Sequence, residues 1–329
     1  MSNLELILIV SGAITILLLL VLKLKLHAFI ALLLVSILVG IASGMPLAQV
    51  IESMQNGMAS TLGYVATVVG LGAIFGQILE ASGGAESVAR SLISRFGKEK
   101  APYALTMAGF VIAIPVFLDV GFVILVPVIY SLAKDAKKSV LYYGIPLCAG
   151  LAVTHAFIPP TPGPIAVAEL VDANLGWVIL FGTIVGIPTA IVAGPVFGKY
   201  IGNRINAPVP DYLEVKEQDH SDTLPGFTLV AVIIGTPLIL ILASTLTNVL
   251  IRENVIYASL LTEIVEFLGH PFTALLIATF FSLYFLGARR GFSKQQLMNL
   301  SSKALGPAGL IILVTGAGGV FKQVLVDSG

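Results

Sequence analysis

HAFIPPTPGP, residues 155–164, places four prolines in six positions, between an apolar run that begins at residue 140 and another that follows from residue 165. Proline has no N–H, its ring clashes with the preceding turn, and it pushes the residue before it out of helical geometry. The stretch therefore predicts a broken helix over about 140–171. Backbone groups freed at membrane depth cost several kcal/mol each unless protein or water satisfies them, so a break there has to be buried or line a cavity.

The surrounding composition sets that depth. Of 329 residues, 57% are hydrophobic and 11% charged, where soluble domains carry about 25% charged residues. Runs at 4–22, 28–42, 62–79, 180–199, 227–246 and 271–286 approach the roughly 20 residues needed to cross about 30 Å of hydrocarbon. The fold class is an all-α polytopic membrane protein, with the lipid bilayer as its first partner. Net charge is zero and no basic tract is long enough for a phosphate backbone, which excludes nucleic acid. The single cysteine, Cys148, forms no internal disulfide. GxxxxGK[ST], HExxH and cysteine pairs are absent from the sequence, so neither nucleotide hydrolysis nor a metal centre is signalled. Glu5 precedes the first apolar run and Lys23 and Lys25 follow it, the reverse of a secretory signal, so it reads as a retained span with its N-terminus outside.

Residues 103–132 are too long for one upright span and too short for two, and they hold Pro115, Asp119 and Pro127. A hairpin over about 103–132, entering and leaving on one face, puts sixteen of the eighteen lysines and arginines in cytoplasmic loops, as the positive-inside rule asks. Arg252 then falls outside and Lys322 lies in the last helix. A single crossing reverses every later loop and leaves seven inside against ten outside. In the hairpin topology Trp177 sits near the outer interface, and Tyr142 and Tyr143 near the inner one.

An internal repeat supports two related halves. Residues 70–83 read GLGAIFGQILEASG and residues 316–329 read GAGGVFKQVLVDSG, identical at seven of fourteen positions. The topology runs the copies in opposite directions, the inverted repeat of many secondary transporters. The expected organisation is a first membrane half at 1–202, with scaffold helices, hairpin and broken helix; a cytoplasmic linker at 203–226; and a second half at 227–329. That second half is expected to be incomplete at its C-terminal part, by roughly 110–120 residues if the halves match. Residues 255–267 are expected to form an amphipathic surface helix on the outer side.

Candidate functional residues gather at the two interruptions. The N-terminus of a half-helix carries partial positive charge, so the break is suited to an anionic guest such as a carboxylate. Asp119 is the only acid between residues 101 and 134; an acid inside a membrane hairpin is a candidate proton carrier, or a cap for a half-helix. His155, one turn before the prolines, could bind a hydroxylated ligand or take up carbonyls that the prolines release. Thr154 and Thr161 supply hydroxyls at the same break, or bond back to backbone. Pro162 and Gly163 open the second half-helix. Gly182, Gly186, Ala190, Gly194, Gly198 and Gly202 form a small-residue ridge for close packing, and Gly40 with Gly44 and Gly72 with Gly76 are read the same way. Glu80 and Glu169 stand near helix ends and are read as facing water.

IPVFLDVGFVILVPVIY (114–130) and LCAGLAVTHAFIPPTPGP (147–164) resemble the gluconate permease family, bacterial inner-membrane symporters of gluconate and related small carboxylates, and the resemblance runs along the whole chain. It implies a fold of the ion-transporter type with two inverted halves, each with a hairpin and a broken helix. It also implies a secondary transporter, not an enzyme, with the proton gradient as energy source and no cofactor. On this basis Thr154, His155, Thr161, Pro162 and Gly163 are the candidate substrate-binding residues and Asp119 the proton-coupling residue. Gluconate, idonate and D-serine are all substrates within the family, and a homodimer is one option for assembly. Two rivals stay open. An intramembrane enzyme or sensor would use Asp119 and His155 as acid and base but lacks a further catalytic group, and a channel would need a charge ring or carbonyl filter that the sequence does not show.

Overall fold

The computed structural model describes residues 3–209 and 224–329. Most of the expected linker, 210–223, with Lys216, lies outside the described residues. The described chain is helical throughout. In order it forms α1 (Asn3–Leu18, extended by a wide turn Leu19–Lys23), α2 (Ala28–Ala42), α3 (Leu47–Ala81), α4 (Gly84–Phe96), α5 (Ala101–Ile112), α6 (Leu118–Ala136) and α7 (Leu141–Phe157). Then come α8 (Pro162–Leu170), α9 (Leu175–Ile191), α10 (Phe197–Gly202), α11 (Phe227–Arg252), α12 (Leu260–Gly269), α13 (Pro271–Phe281) and α14 (Lys294–Asp327).

Seven described stretches are long and apolar enough to cross a membrane: Glu5–Lys23, Leu47–Ala81, Leu141–Leu170, Leu175–Gly202, Phe227–Arg252, Pro271–Arg290 and Lys294–Asp327. The run expected at 62–79 is the second part of the 35-residue α3. Gln49, Glu52, Gln55 and Asn56 dilute the apolar pattern over its first turns. Helix α2, with 15 residues, rises only about 22 Å. The surface helix expected at 255–267 starts later, at Leu260, where Ser259 and Thr262 form a capping box; Leu260, Leu261 and Phe267 lie exposed along it.

Contacts divide the chain into two compact units. One comprises Met1–Val69, Glu169–Asp172 and Gly306–Gly329. Its small core joins Ala13, Val35, Val39 and Val324, with Phe321 and Leu325 packed against them. The start of α3 crosses the end of α14 at a glycine pair: a Cβ on Gly57 would stand 2.6 Å from the Gly319 carbonyl oxygen, and one on Gly319 would collide with the Thr61 hydroxyl. Gly40 packs on Val50, whereas Gly44 has open space and a φ of +74°. The second glycine of that pair serves the turn after α2, where a left-handed conformation suits glycine.

The other unit, Gly70–Ala168 with Ala173–Leu305, is built around α7. Leu105, Ile112, Leu125, Ile129, Leu147 and Leu151 are fully buried in its core with Phe75 and Leu79 of α3. The predicted small-residue ridge lies along α7: Gly182 meets the Phe157 carbonyl, Gly186 meets Val153, Gly194 and Gly198 meet Pro146, and Gly202 meets Tyr142. Tyr142 and Tyr143 are consequently buried, packed edge to face at 5.1 Å, with the Lys138 ammonium 3.9 Å over the Tyr142 ring. They are core residues more than an interfacial belt, because Gly202 lets α10 close over them. Trp177 is exposed and stacked on Phe181.

Candidate functional site

The hairpin and the break each follow from proline chemistry. Helix α5 ends at Ile112, the chain turns through 113–117, and α6 begins at Leu118. Pro115 has no N–H to continue α5, and Phe117, at φ −62° and ψ 147°, is the extended residue that starts α6. With 12 residues, α5 rises about 18 Å, well short of a bilayer core. The two ends of the excursion meet: Lys98 Nζ lies 3.1 Å from Asp135 Oδ2. Ala113, Ile114 and Val116 at the tip are buried.

At the second interruption α7 stops at Phe157 and α8 starts at Pro162, within the span Leu141–Leu170. Ile158, before the first proline, is extended at φ −118° and ψ 118°, as the steric rule requires. The Pro159–Pro160 peptide is cis. Thr161 closes the break: its hydroxyl donates to the Ile158 carbonyl at 2.7 Å, and its own carbonyl accepts from Ile165 N–H at 3.3 Å. Ile158 and Thr161 are buried. Both interruptions are thus covered by protein, the condition under which irregular backbone is tolerated in a membrane.

Helix α3 brings the two together, through glycines of the repeated motif. A Cβ on Gly76 would overlap the Pro115 carbonyl oxygen and come within 3.4 Å of Val116 Cα. One turn earlier, a Cβ on Gly72 would lie 3.8 Å from the Pro160 carbonyl oxygen. The hairpin tip and the helix break therefore rest on one stripe of α3. A direct contact joins them as well, since the His155 ring meets Phe117 edge-on with centroids 6.1 Å apart.

The sequence-predicted residues take different places around this seam. His155 Nδ1 is shielded from solvent and has no hydrogen-bond partner. A buried unpaired nitrogen costs about 1–3 kcal/mol, so a bound molecule that satisfied it would recover that loss. Asp119 is exposed in the first turn of α6, where the helix dipole favours a carboxylate, and it acts electrostatically on His155. Gly163 is exposed with open space around it. Pro162 and Pro164 have no N–H, so Gly163 supplies the donor in the first turn of α8. Pro162, itself buried, fixes φ at the helix start.

Two candidates are engaged elsewhere. Thr154 is fully buried and its hydroxyl donates to the Phe110 carbonyl of α5 at 2.9 Å, tying α7 to the hairpin. The Thr161 hydroxyl holds the break closed. His155, Asp119 and Gly163 are the candidates with bonding capacity to offer a ligand.

The structure adds Glu80, which the sequence reading left facing water, with Gln77 as its partner. Glu80 Oε2 accepts from Gln77 Nε2 at 2.8 Å, on the face of α3 that carries Gly76, and Glu80 is half-buried within electrostatic reach of Asp119 and Lys303. The available signal was in the repeat. Glu80 is the one acid in the first copy, and its counterpart is Val326.

The two copies also end alike. Helices α3 and α14, of 35 and 34 residues, each finish with a serine donating to the carbonyl three residues back, Ser82 to Leu79 at 3.0 Å and Ser328 to Leu325 at 2.8 Å. A glycine at positive φ follows each, Gly83 at +74° and Gly329 at +96°.

Described residues that are all-helical with seven membrane-spanning candidates, and whose hairpin and broken helix converge on a glycine seam beside an acid and an unpaired histidine nitrogen, have the architecture of a secondary transporter. Comparison with known proteins narrows the class. The profile of the GntP family permease matches residues 4–329, and the chain belongs to that family. It is 41% identical over 330 residues to the low-affinity gluconate transporter of Escherichia coli strain K12, covering 100% of this chain and 73% of that one. It is 37% identical to the Gnt-II system L-idonate transporter of the same strain, covering 98% and 72%. It is 36% identical to the gluconate permease of Bacillus subtilis strain 168, covering 98% and 73%.

Proposed function

We propose that this protein takes up gluconate, or a related small sugar acid, across the bacterial inner membrane in symport with protons. The observation that carries the substrate site is the meeting of the hairpin tip and the helix break on Gly76 and Gly72, with His155 Nδ1 unpaired beside it. A sugar-acid carboxylate would sit at the N-terminus of α8, on the Gly163 N–H, and a ligand hydroxyl would donate to or accept from His155. Thr154, Thr161 and Pro162 hold the shape of that site. Asp119, exposed in the first turn of α6, would carry the proton. The proton gradient is the energy source and no cofactor enters the cycle.

The relatives' names support the substrate class, gluconate above all, with L-idonate as the alternative. The Lys98–Asp135 bridge supports a hairpin that enters and leaves on one face, and the matching helix ends support two duplicated halves, 1–202 and 227–329, related by inversion. The placement of the positive residues supports a periplasmic N-terminus. A homodimer is compatible with this reading.

Uptake of radiolabelled gluconate into membrane vesicles tests it. Accumulation should collapse with a protonophore and fall at least tenfold in Asp119→Asn. Accumulation that ignores the proton gradient, or that survives Asp119→Asn at the wild-type rate, refutes the coupling. Competition with idonate, D-serine and glycerate ranks the substrates.

A further inference from the structure

Glu80 lies outside the residues used so far, yet it stands in the same seam. Gly76, Gln77 and Glu80 are spaced to share one face of α3. Gly76 bears the hairpin tip at Pro115 and Val116, and one helical turn further along α3 comes Glu80, as α6 begins with Asp119 in its first turn. Gln77 bonds to one carboxylate oxygen of Glu80 at 2.8 Å and leaves the other free. The charged groups that act on Glu80 are Asp119 from α6 and Lys303 from α14, and Asp119 acts in turn on His155 of α7.

A glutamine–acid pair ends both helices, Gln77 donating to Glu80 at 2.8 Å and Gln323 to Asp327 at 2.9 Å. The α14 terminus forms the same serine and glycine cap with Val326 in the corresponding position. What sets the first copy apart is the register of the acid, which stands one residue earlier and so shares the face of Gly76 that bears the hairpin tip. Two carboxylates in reach of one another can share a single proton, and an acid half-buried in a membrane-spanning helix is a functional position by default.

We propose that Glu80 is the second carboxylate of the proton path. It takes the proton that Asp119 has carried to the seam and releases it on the side of Lys303. The O–H bond broken at Asp119 is formed at Glu80, so the pair keeps one negative charge during the transfer. Lys303 then compensates Glu80 when the proton leaves to water. This inference rests on the proton-symport reading above.

The test measures gluconate-driven alkalinisation of a lightly buffered medium and labelled gluconate entry together, in vesicles containing the protein. The number read is protons taken up per gluconate. Glu80→Gln should lower that ratio at least tenfold, and Glu80→Asp should recover more than half of it. If Glu80 only pairs with Lys303 to hold the fold, the double variant Glu80→Gln with Lys303→Gln should regain the wild-type ratio; in the proton path it stays uncoupled. A wild-type ratio in Glu80→Gln, or its return in the double variant, overturns the proposal. Wild-type vesicles that take up gluconate with no proton entry overturn the symport reading instead.

Discussion

A single methyl group at Gly76 should separate the hairpin from its seat. The Cβ of an alanine there would overlap the Pro115 carbonyl oxygen, and restoring a carbon contact of about 3.5 Å would require the tip to retreat by roughly an ångström. The obstacle is backbone in a buried turn, so no side chain can rotate away. Overpacking of this kind costs about 1–3 kcal/mol. Alanine is favoured over glycine in a helix by about 1 kcal/mol, which offsets part of the clash in overall stability but none of the displacement of the tip. If that penalty falls on the docked arrangement, its population drops about 5- to 150-fold, and gluconate uptake should fall in proportion. Gly72→Ala is the internal control: its Cβ would stand 3.8 Å from Pro160, an ordinary contact, while the helix gains the same propensity. Initial rates in vesicles, normalised to protein in the membrane, should therefore be strongly reduced for Gly76→Ala and near wild type for Gly72→Ala. Equal rates in the two variants, or the opposite order, would refute the seam as the element that brings the interruptions together.

Further outcomes follow from individual bonds. Gly163→Pro removes the N–H that stands between Pro162 and Pro164 at the start of α8 and should weaken gluconate uptake at least tenfold, whereas Gly163→Ala, which meets no atom within 4 Å, should leave KM within about twofold. Thr154→Val leaves the Phe110 carbonyl without its donor and should lower stability by about 1–3 kcal/mol, read by thermal unfolding in detergent, while the preference for gluconate over idonate stays unchanged. Gly319→Leu should destabilise the α3 and α14 crossing, because the Thr61 side chain and Gly57 carbonyl already fill the space, and a melting temperature equal to wild type would contradict the close approach. Lys98→Ala, which breaks an exposed ion pair, should shift stability by no more than about 1 kcal/mol.

How much of this was legible in the sequence depends on whether the signal was local. The break at 158–161 could be read directly, because proline acts on its own backbone and on the residue before it; Ile158 is extended for that reason. The hairpin came from length and charge, and the turn falls at Pro115, inside the segment expected. The ridge from Gly182 to Gly202 was legible as a four-residue period, although its partner, α7, was not. The partners of individual side chains were the least legible. Thr154 looked like a ligand and instead bonds across to α5, and Glu80 looked solvated and instead lies in the seam, since both depend on which helix packs alongside. The polar first turns of α3 hid its true length for the converse reason: a helix can carry glutamines and an acid where tertiary packing accepts them.

The repeat shows how one sequence pattern can serve two ends. Both copies keep the serine and glycine that stop the helix, and both keep Phe75 and Phe321, Leu79 and Leu325, which pack into their respective cores. They diverge where the first copy meets the interruptions. Gly76, which lets the Pro115 carbonyl approach, corresponds to Lys322, whose ammonium donates to the Glu169 carbonyl at 3.4 Å, and Glu80 corresponds to Val326. A lysine in the place of Gly76 would leave no room for the hairpin tip, so the second helix end is built for another neighbour. Selection for packing alone preserves the shared positions. The unshared ones, a glycine against a proline carbonyl and an acid one turn beyond it on the same face, are the positions that set the first copy apart as the seat of the hairpin tip.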